Sequence, residues 1–112
     1  MSVFKSQPSD RRVTPRSPAN ARGVVLAPGI ELSCVIADTS DGGLRLRLDR
    51  AIALPPRVTV VDVAAGLAIE AETAWRQGAE TGLKRKGGAS LRGLVPSRLL
   101  AAREAWLRAG GR

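Results

Sequence analysis

Arg12 and Arg16, four residues apart, and the group Asp38-Thr39-Ser40-Asp41-Gly42-Gly43 have types and spacing that suit one chemistry, the grip of a small anionic guanine ligand. Arginine suits a guanine dinucleotide in three ways: its fork bonds guanine O6 and N7, its plane stacks on a base, and its charge neutralises phosphate. Pro15 fixes φ just before Arg16 and disfavours helix at Thr14, so the segment is expected to be extended, with both arginines on one side of it. In the second group Asp38 can accept hydrogen bonds from guanine N1 and N2, and the Ser40 hydroxyl can donate to a phosphate oxygen. Gly42 and Gly43 permit positive φ and let ligand or N-terminal backbone approach the strand closely. Each group has a plainer reading too: a basic solubilising segment, and a hairpin turn in which Asp38 and Ser40 bond local backbone.

The elements that position these residues must come from one modest domain. The chain has 112 residues, a size that buries roughly 65% of the unfolded surface on folding. Its aromatic residues are Phe4, Trp75 and Trp106, so aliphatic side chains must fill the core. Residues 1–22 hold Pro8, Pro15, Pro18 and several basic side chains with little apolar periodicity, and are expected to be a flexible basic leader. From there the period is that of strands. Ile30, Leu32, Cys34 and Ile36 alternate with Glu31, Ser33, Val35 and Ala37; Leu44, Leu46 and Leu48 alternate with Arg45, Arg47 and Asp49.

The Asp-Thr-Ser-Asp-Gly-Gly group between those two runs reads as the turn of a hairpin. After Leu54-Pro55-Pro56 a third strand is expected over Val58 to Val63, then a fourth from Leu67 to Trp75, and a shorter one around Thr81 to Arg85. Trp75 falls in register with Leu67, Ile69 and Ala71, which assigns it to the core or the sheet rim in preference to stacking on a base. Arg45 and Arg47 are read as a solvated strand face. Short strands with short connections favour an antiparallel barrel or sandwich. Ser97 is expected to cap a helix from Arg98 to about Ala109, with Leu99, Leu100, Ala102, Trp106 and Leu107 as its apolar side and Gly110-Gly111 as its stop.

Composition narrows the function. Lys and Arg outnumber Asp and Glu by 18 to 10, for a formal charge of +8, which favours an anionic partner. The chain has no histidine and one cysteine, Cys34, so neither an intramolecular disulfide nor a zinc or iron site is expected, and Cys34 is read as a small core residue. Without a histidine base or a paired set of carboxylates, catalytic residues are expected to be none. No run of eighteen apolar residues and no signal-peptide pattern is present, which predicts a cytoplasmic protein with no membrane span.

The pattern Arg12-x-x-x-Arg16, followed by a loop, a strand and Asp38-x-Ser40-x-x-Gly43, resembles the PilZ domain, a family of bacterial cyclic di-GMP receptors. Ala74-Trp75-Arg76-Gln77-Gly78 and Thr81-Gly82-Leu83 look like that family's penultimate strand, turn and closing strand, so the likeness covers about residues 10 to 88. The closing strand departs from the pattern, reading Leu83-Lys84-Arg85-Lys86-Gly87 where a bulky apolar residue is usual. The resemblance implies an all-β fold, a small antiparallel six-stranded β-barrel with a C-terminal helix: leader 1–22, barrel 23–88, linker and helix 89–112. It implies cyclic di-GMP bound by Arg12, Arg16, Asp38, Ser40 and Gly43, with Arg11 adding a contact that influences whether one ligand or a stacked pair binds.

No cofactor is expected beyond the ligand; the resemblance implies a downstream protein partner, and the chain is expected to be a monomer or weak dimer. Two other readings stand beside it. One is a basic barrel that binds single-stranded nucleic acid, disfavoured by the scarcity of aromatic stacking platforms. The other is a PilZ-like interaction module that binds no ligand.

Overall fold

The computed structural model describes residues 21–40 and 42–111. Six strands occupy most of that length: β1 (Ala21–Ala27), β2 (Ile30–Thr39), β3 (Gly43–Leu48), β4 (Arg57–Asp62), β5 (Leu67–Gln77) and β6 (Glu80–Ser90). Every neighbouring pair is antiparallel, in the order β1-β2-β3-β6-β5-β4, and β4 returns to β1 to close the barrel. A short 3-10 turn, Ser97–Leu99, leads into α1 (Leu100–Arg108). The all-β barrel with a C-terminal helix is the fold the sequence predicts.

Alternation makes the interior. Cys34 and Ile36 of β2, Leu44, Leu46 and Leu48 of β3, Val58 and Val60 of β4 and Leu83 of β6 form one buried cluster with Val25 of β1. Burial pushes the Cys34 thiol up to about 12, with the Asp49 carboxylate adding to the effect. Ile52 and Leu54, in the irregular β3–β4 connection, pack on the same cluster. Thr73 fastens that connection, its hydroxyl donating to the Pro55 carbonyl and its N–H to the Pro56 carbonyl, both at 2.8 Å.

Two strands differ from the sequence reading. Periodicity does not reveal β1, because Val24, Val25 and Leu26 are consecutive apolar residues with a use on both faces: Val25 enters the barrel while Val24 and Leu26 pack beneath α1. Its hairpin to β2 turns on Pro28-Gly29, with Ala27 paired to Ile30 and Gly29 at φ 75, the positive value a type II turn requires. The closing strand is also longer than Thr81 to Arg85, running on to Ser90 with Gly88 paired to Ile69 and Ser90 to Leu67. Lys84 and Lys86 do not end it, since both side chains point to solvent.

The helix packs on the barrel's outer surface. Leu99, Ala102, Ala105 and Trp106 are buried with Val24, Val61, Ala68 and Leu91, and the Trp106 indole Nε1 donates to the Val63 carbonyl at 2.9 Å. Arg92 lies 5.6 Å from the centre of the Trp106 ring while donating to the Ala65 carbonyl at 2.9 Å, which ties the β4–β5 turn to the helix. Leu100 and Leu107 are not on the buried side, contrary to the sequence expectation; they stand about half exposed. Ser97 is not a cap either: no side chain bonds the helix start, and the 3-10 turn leads in after Pro96. The stop is as expected, with Gly110 at φ 102 and the Gly111 and Gly110 N–H groups donating to the Trp106 and Leu107 carbonyls.

Candidate functional site

Asp38 reaches the outside of the barrel because β2 is irregular beside it. Cys34 and Ile36 point inward, and a regular strand would send Asp38 after them into an apolar interior. The register with β3 instead shifts between Ile36 and Asp38, leaving Ala37 as an extra residue. Asp38 then pairs with Arg45, which lies between the inward Leu44 and Leu46 and so faces outward. The bulge at Ala37 therefore leaves on the surface a carboxylate that unbroken alternation would send into the core.

A second bulge does the same for Trp75. The register of β5 with β6 shifts between Thr73 and Trp75, so Trp75 pairs with Gly82, which lies between the inward Thr81 and Leu83. Trp75 is 45% exposed on the outer face, and its indole lies over Gly82 so closely that a Cβ there would overlap the ring. This corrects the core half of the sequence reading of Trp75. The rim half holds.

The two bulges face each other across β3 and β6, and a surface hollow of about 340 Å³ lies between them. Asp38, Ser40 and Gly43 line it together with Arg45, Trp75, Gly82 and Lys84. Ser40 is exposed and its N–H donates to the Gly43 carbonyl at 2.9 Å. Arg45 has Glu80 at 3.6 Å, whereas Lys84 has no ion pair among the described residues. The hollow thus offers an acceptor at Asp38, a hydroxyl at Ser40, an aromatic face at Trp75 and a cation at Lys84.

The glycines show one part of the sequence expectation to be unused, the positive φ. Neither Gly42 nor Gly43 is among the positive-φ glycines, so the turn does not use the left-handed freedom they permit. What approaches Gly43 closely is the adjoining strand: a Cβ there would stand 2.8 Å from the Leu83 carbonyl oxygen. Gly42 is tied in as well, its carbonyl accepting from the Arg85 N–H at 3.0 Å. The missing Cβ at Gly43 thus serves the seating of the hairpin on β6, whereas a Cβ at Gly42 would meet nothing within 4 Å.

Arg11, Arg12, Arg16 and Asp41 lie outside the described residues. The strand that follows the arginines is described, and Ala21 at its start pairs with Ile36, two residues from Asp38. Sequence reasoning assigned Arg45 to a solvated face and passed over Gly82 and Lys84. A signal for the Trp75–Gly82 contact was present. Counting back from the two-residue turn Gly78-Ala79 pairs Gln77 with Glu80, Arg76 with Thr81 and Trp75 with Gly82, which is the observed register.

A larger hollow of about 490 Å³ lies elsewhere, lined by Leu26, Pro28, Arg57, Glu70, Glu72 and Lys86 among others. Its charges balance, with Lys86 3.5 Å from Glu72 and Glu70 bound to Arg98, so it has no preference for an anion. Among the described residues, none of the candidate ligand contacts Asp38, Ser40 and Gly43 lines it. Among the described residues no three His, Cys, Asp or Glu side chains gather as a metal site, and no helix is long and apolar enough to cross a membrane.

In comparison with known families, the PilZ domain model matches residues 10–94, most of the chain. No curated protein matches the chain significantly.

Proposed function

The chain belongs to the PilZ domain family, a family of binding and adaptor domains, and from this we infer that it is a cyclic di-GMP receptor whose ligand occupies the hollow between the two bulges. The observation that carries the reading is that Asp38, Ser40 and Gly43 share that hollow with an exposed tryptophan and with Lys84, which has no ion pair among the described residues. Asp38 accepts from guanine N1 and N2, Ser40 donates to phosphate, Lys84 attracts it, and Trp75 presents a ring face for the second base.

Chain length supports the arginine part. Arg16 is five residues before Ala21, and an extended chain spans about 3.5 Å per residue, so Arg16 has reach enough to meet a ligand beside Asp38. Arg12 lies four residues further on, and Arg11 beside it supplies an additional cation. Ala21 and Arg22, expected in the leader, open β1, so in this reading residues 1–20 fold over the bound ligand. Ordering them costs on the order of 1–2 kcal/mol per residue fixed, which the charge-assisted contacts to two phosphates must outweigh. The output is the altered surface that the closed leader and ligand present to a protein partner.

Isothermal titration tests the reading with cyclic di-GMP beside GTP and a linear guanine dinucleotide. Saturable binding of the cyclic ligand is expected, with Arg12→Ala and Arg16→Ala each lowering affinity by at least about a hundredfold, as the loss of a charge-assisted bidentate contact does. Full affinity in both variants refutes it.

A further inference from the structure

The outer face of α1 carries a pattern that the barrel does not use. Leu99, Ala102, Ala105 and Trp106 are buried against the sheet, while Leu100 and Leu107 on the other side are 49% and 50% exposed. Leu94 is fully exposed just before the helix, and Arg103 holds its segment in place by donating to the Gly93 carbonyl at 2.8 Å. Spacings of three and four residues bring Leu100, Arg103, Glu104 and Leu107 onto one surface. Neighbours in a helical sequence do not face each other, so Arg103 and Glu104 do not satisfy one another within the chain. Glu104 is exposed and has no ion pair among the described residues.

The run Leu100-Ala101-Ala102-Arg103-Glu104-Ala105-Trp106-Leu107 is self-complementary about its midpoint: Leu100 mirrors Leu107, and Arg103 mirrors Glu104. We propose that this face seats a second copy of the chain, in an antiparallel helix pair about a two-fold axis passing between Arg103 and Glu104. In that arrangement Leu100 stands level with the partner's Leu107, and Glu104 stands level with the partner's Arg103. A parallel pair would set Glu104 beside its own copy.

Charge selects the same face. The chain carries a formal +8, which repels a second copy over most of the surface. Around α1 that repulsion is reduced, because Arg98 is bound to Glu70 and Arg108 donates to Glu31 at 2.7 Å. The helix has nine residues and is about 14 Å long, so the contact falls below the roughly 1,200 Å² of a stable interface. The dimer is therefore weak, reversible and set by concentration.

Sedimentation equilibrium of the full chain, carried to millimolar concentration, tests the proposal. A monomer–dimer equilibrium is expected, with Leu100→Asp and Leu107→Asp each abolishing it. Arg103→Glu and Glu104→Arg each weaken association about three- to tenfold, and a one-to-one mixture of these two variants associates more tightly than either alone. That rescue separates charge pairing from the loss of the Gly93 contact. Thiol cross-linking fixes the direction: Leu100→Cys links to Leu107→Cys in a mixture and not to itself. A chain that stays monomeric, a mixture without rescue, or Leu100→Cys linking to itself overturns the proposal.

Discussion

At the scale of residues, the contact between Trp75 and Gly82 fixes an aromatic face on the wall of the hollow. The missing Cβ is what admits the indole, so Gly82→Ala displaces the ring while leaving the backbone ladder intact. Stability is expected to change by less than about 1 kcal/mol, whereas cyclic di-GMP affinity falls about three- to tenfold. Thermal unfolding and titration of the same variant check the two halves. An unchanged affinity with a shifted Trp75 indole resonance removes Trp75 from the site. Residue types were legible here where residue surroundings were not: Asp38 and Ser40, picked out by the turn chemistry, line one hollow, yet Gly43 beside them is where β6 comes close. A sequence shows that a Cβ is missing, and only the neighbouring backbone shows why.

At the scale of elements, the two bulges decide which side chains the site contains. Strict alternation made β3 and much of β2 and β5 readable, because a strand with one buried face has a period of two, and β-branched content did the same for β4. Bulges break that period without a sequence mark of their own, which is why Trp75 was assigned to the rim or core and β1, apolar on both faces, went unread. The helix shows a related limit. Its apolar residues cover more than half its circumference, and the packing on Val24, Val61 and Ala68 determines which of them are buried. Deletion of Ala37 tests the role of the first bulge. It makes β2 regular, with Asp38 directly after Ile36, and so keeps Asp38 outward opposite Arg45 and Thr39 opposite Leu44. Stability in urea unfolding is expected to fall by no more than about 1–2 kcal/mol. A loss on the order of 3–5 kcal/mol, the cost of an unpaired carboxylate in an apolar interior, contradicts this register.

At the scale of the whole molecule, the closed barrel separates an inner core from an outer one beneath the helix, and Cys34 reports on the inner one. Its thiol is raised from 9.0 to about 12 by burial and by Asp49. Between those values the unfolded chain has lost a proton that the folded chain keeps, so this contribution to stability is complete below pH 9 and declines as pH rises toward 12. The slope is about 1.4 kcal/mol per pH unit from this one group. Unfolding free energies of the wild type and Cys34→Ala are therefore expected to converge as pH rises from 9 to 11. Parallel curves contradict the burial.

The central claim is that ligand sits in the hollow made by the Asp38 and Trp75 bulges and not in the larger hollow by Arg57. Amide and indole resonances followed by NMR during titration with cyclic di-GMP test it most directly. The expected result is large shifts at Asp38, Ser40, Gly43, Lys84 and the Trp75 indole, with Leu26, Arg57 and Thr59 still. Shifts centred on Leu26, Arg57 and Thr59, or none at all, contradict the account.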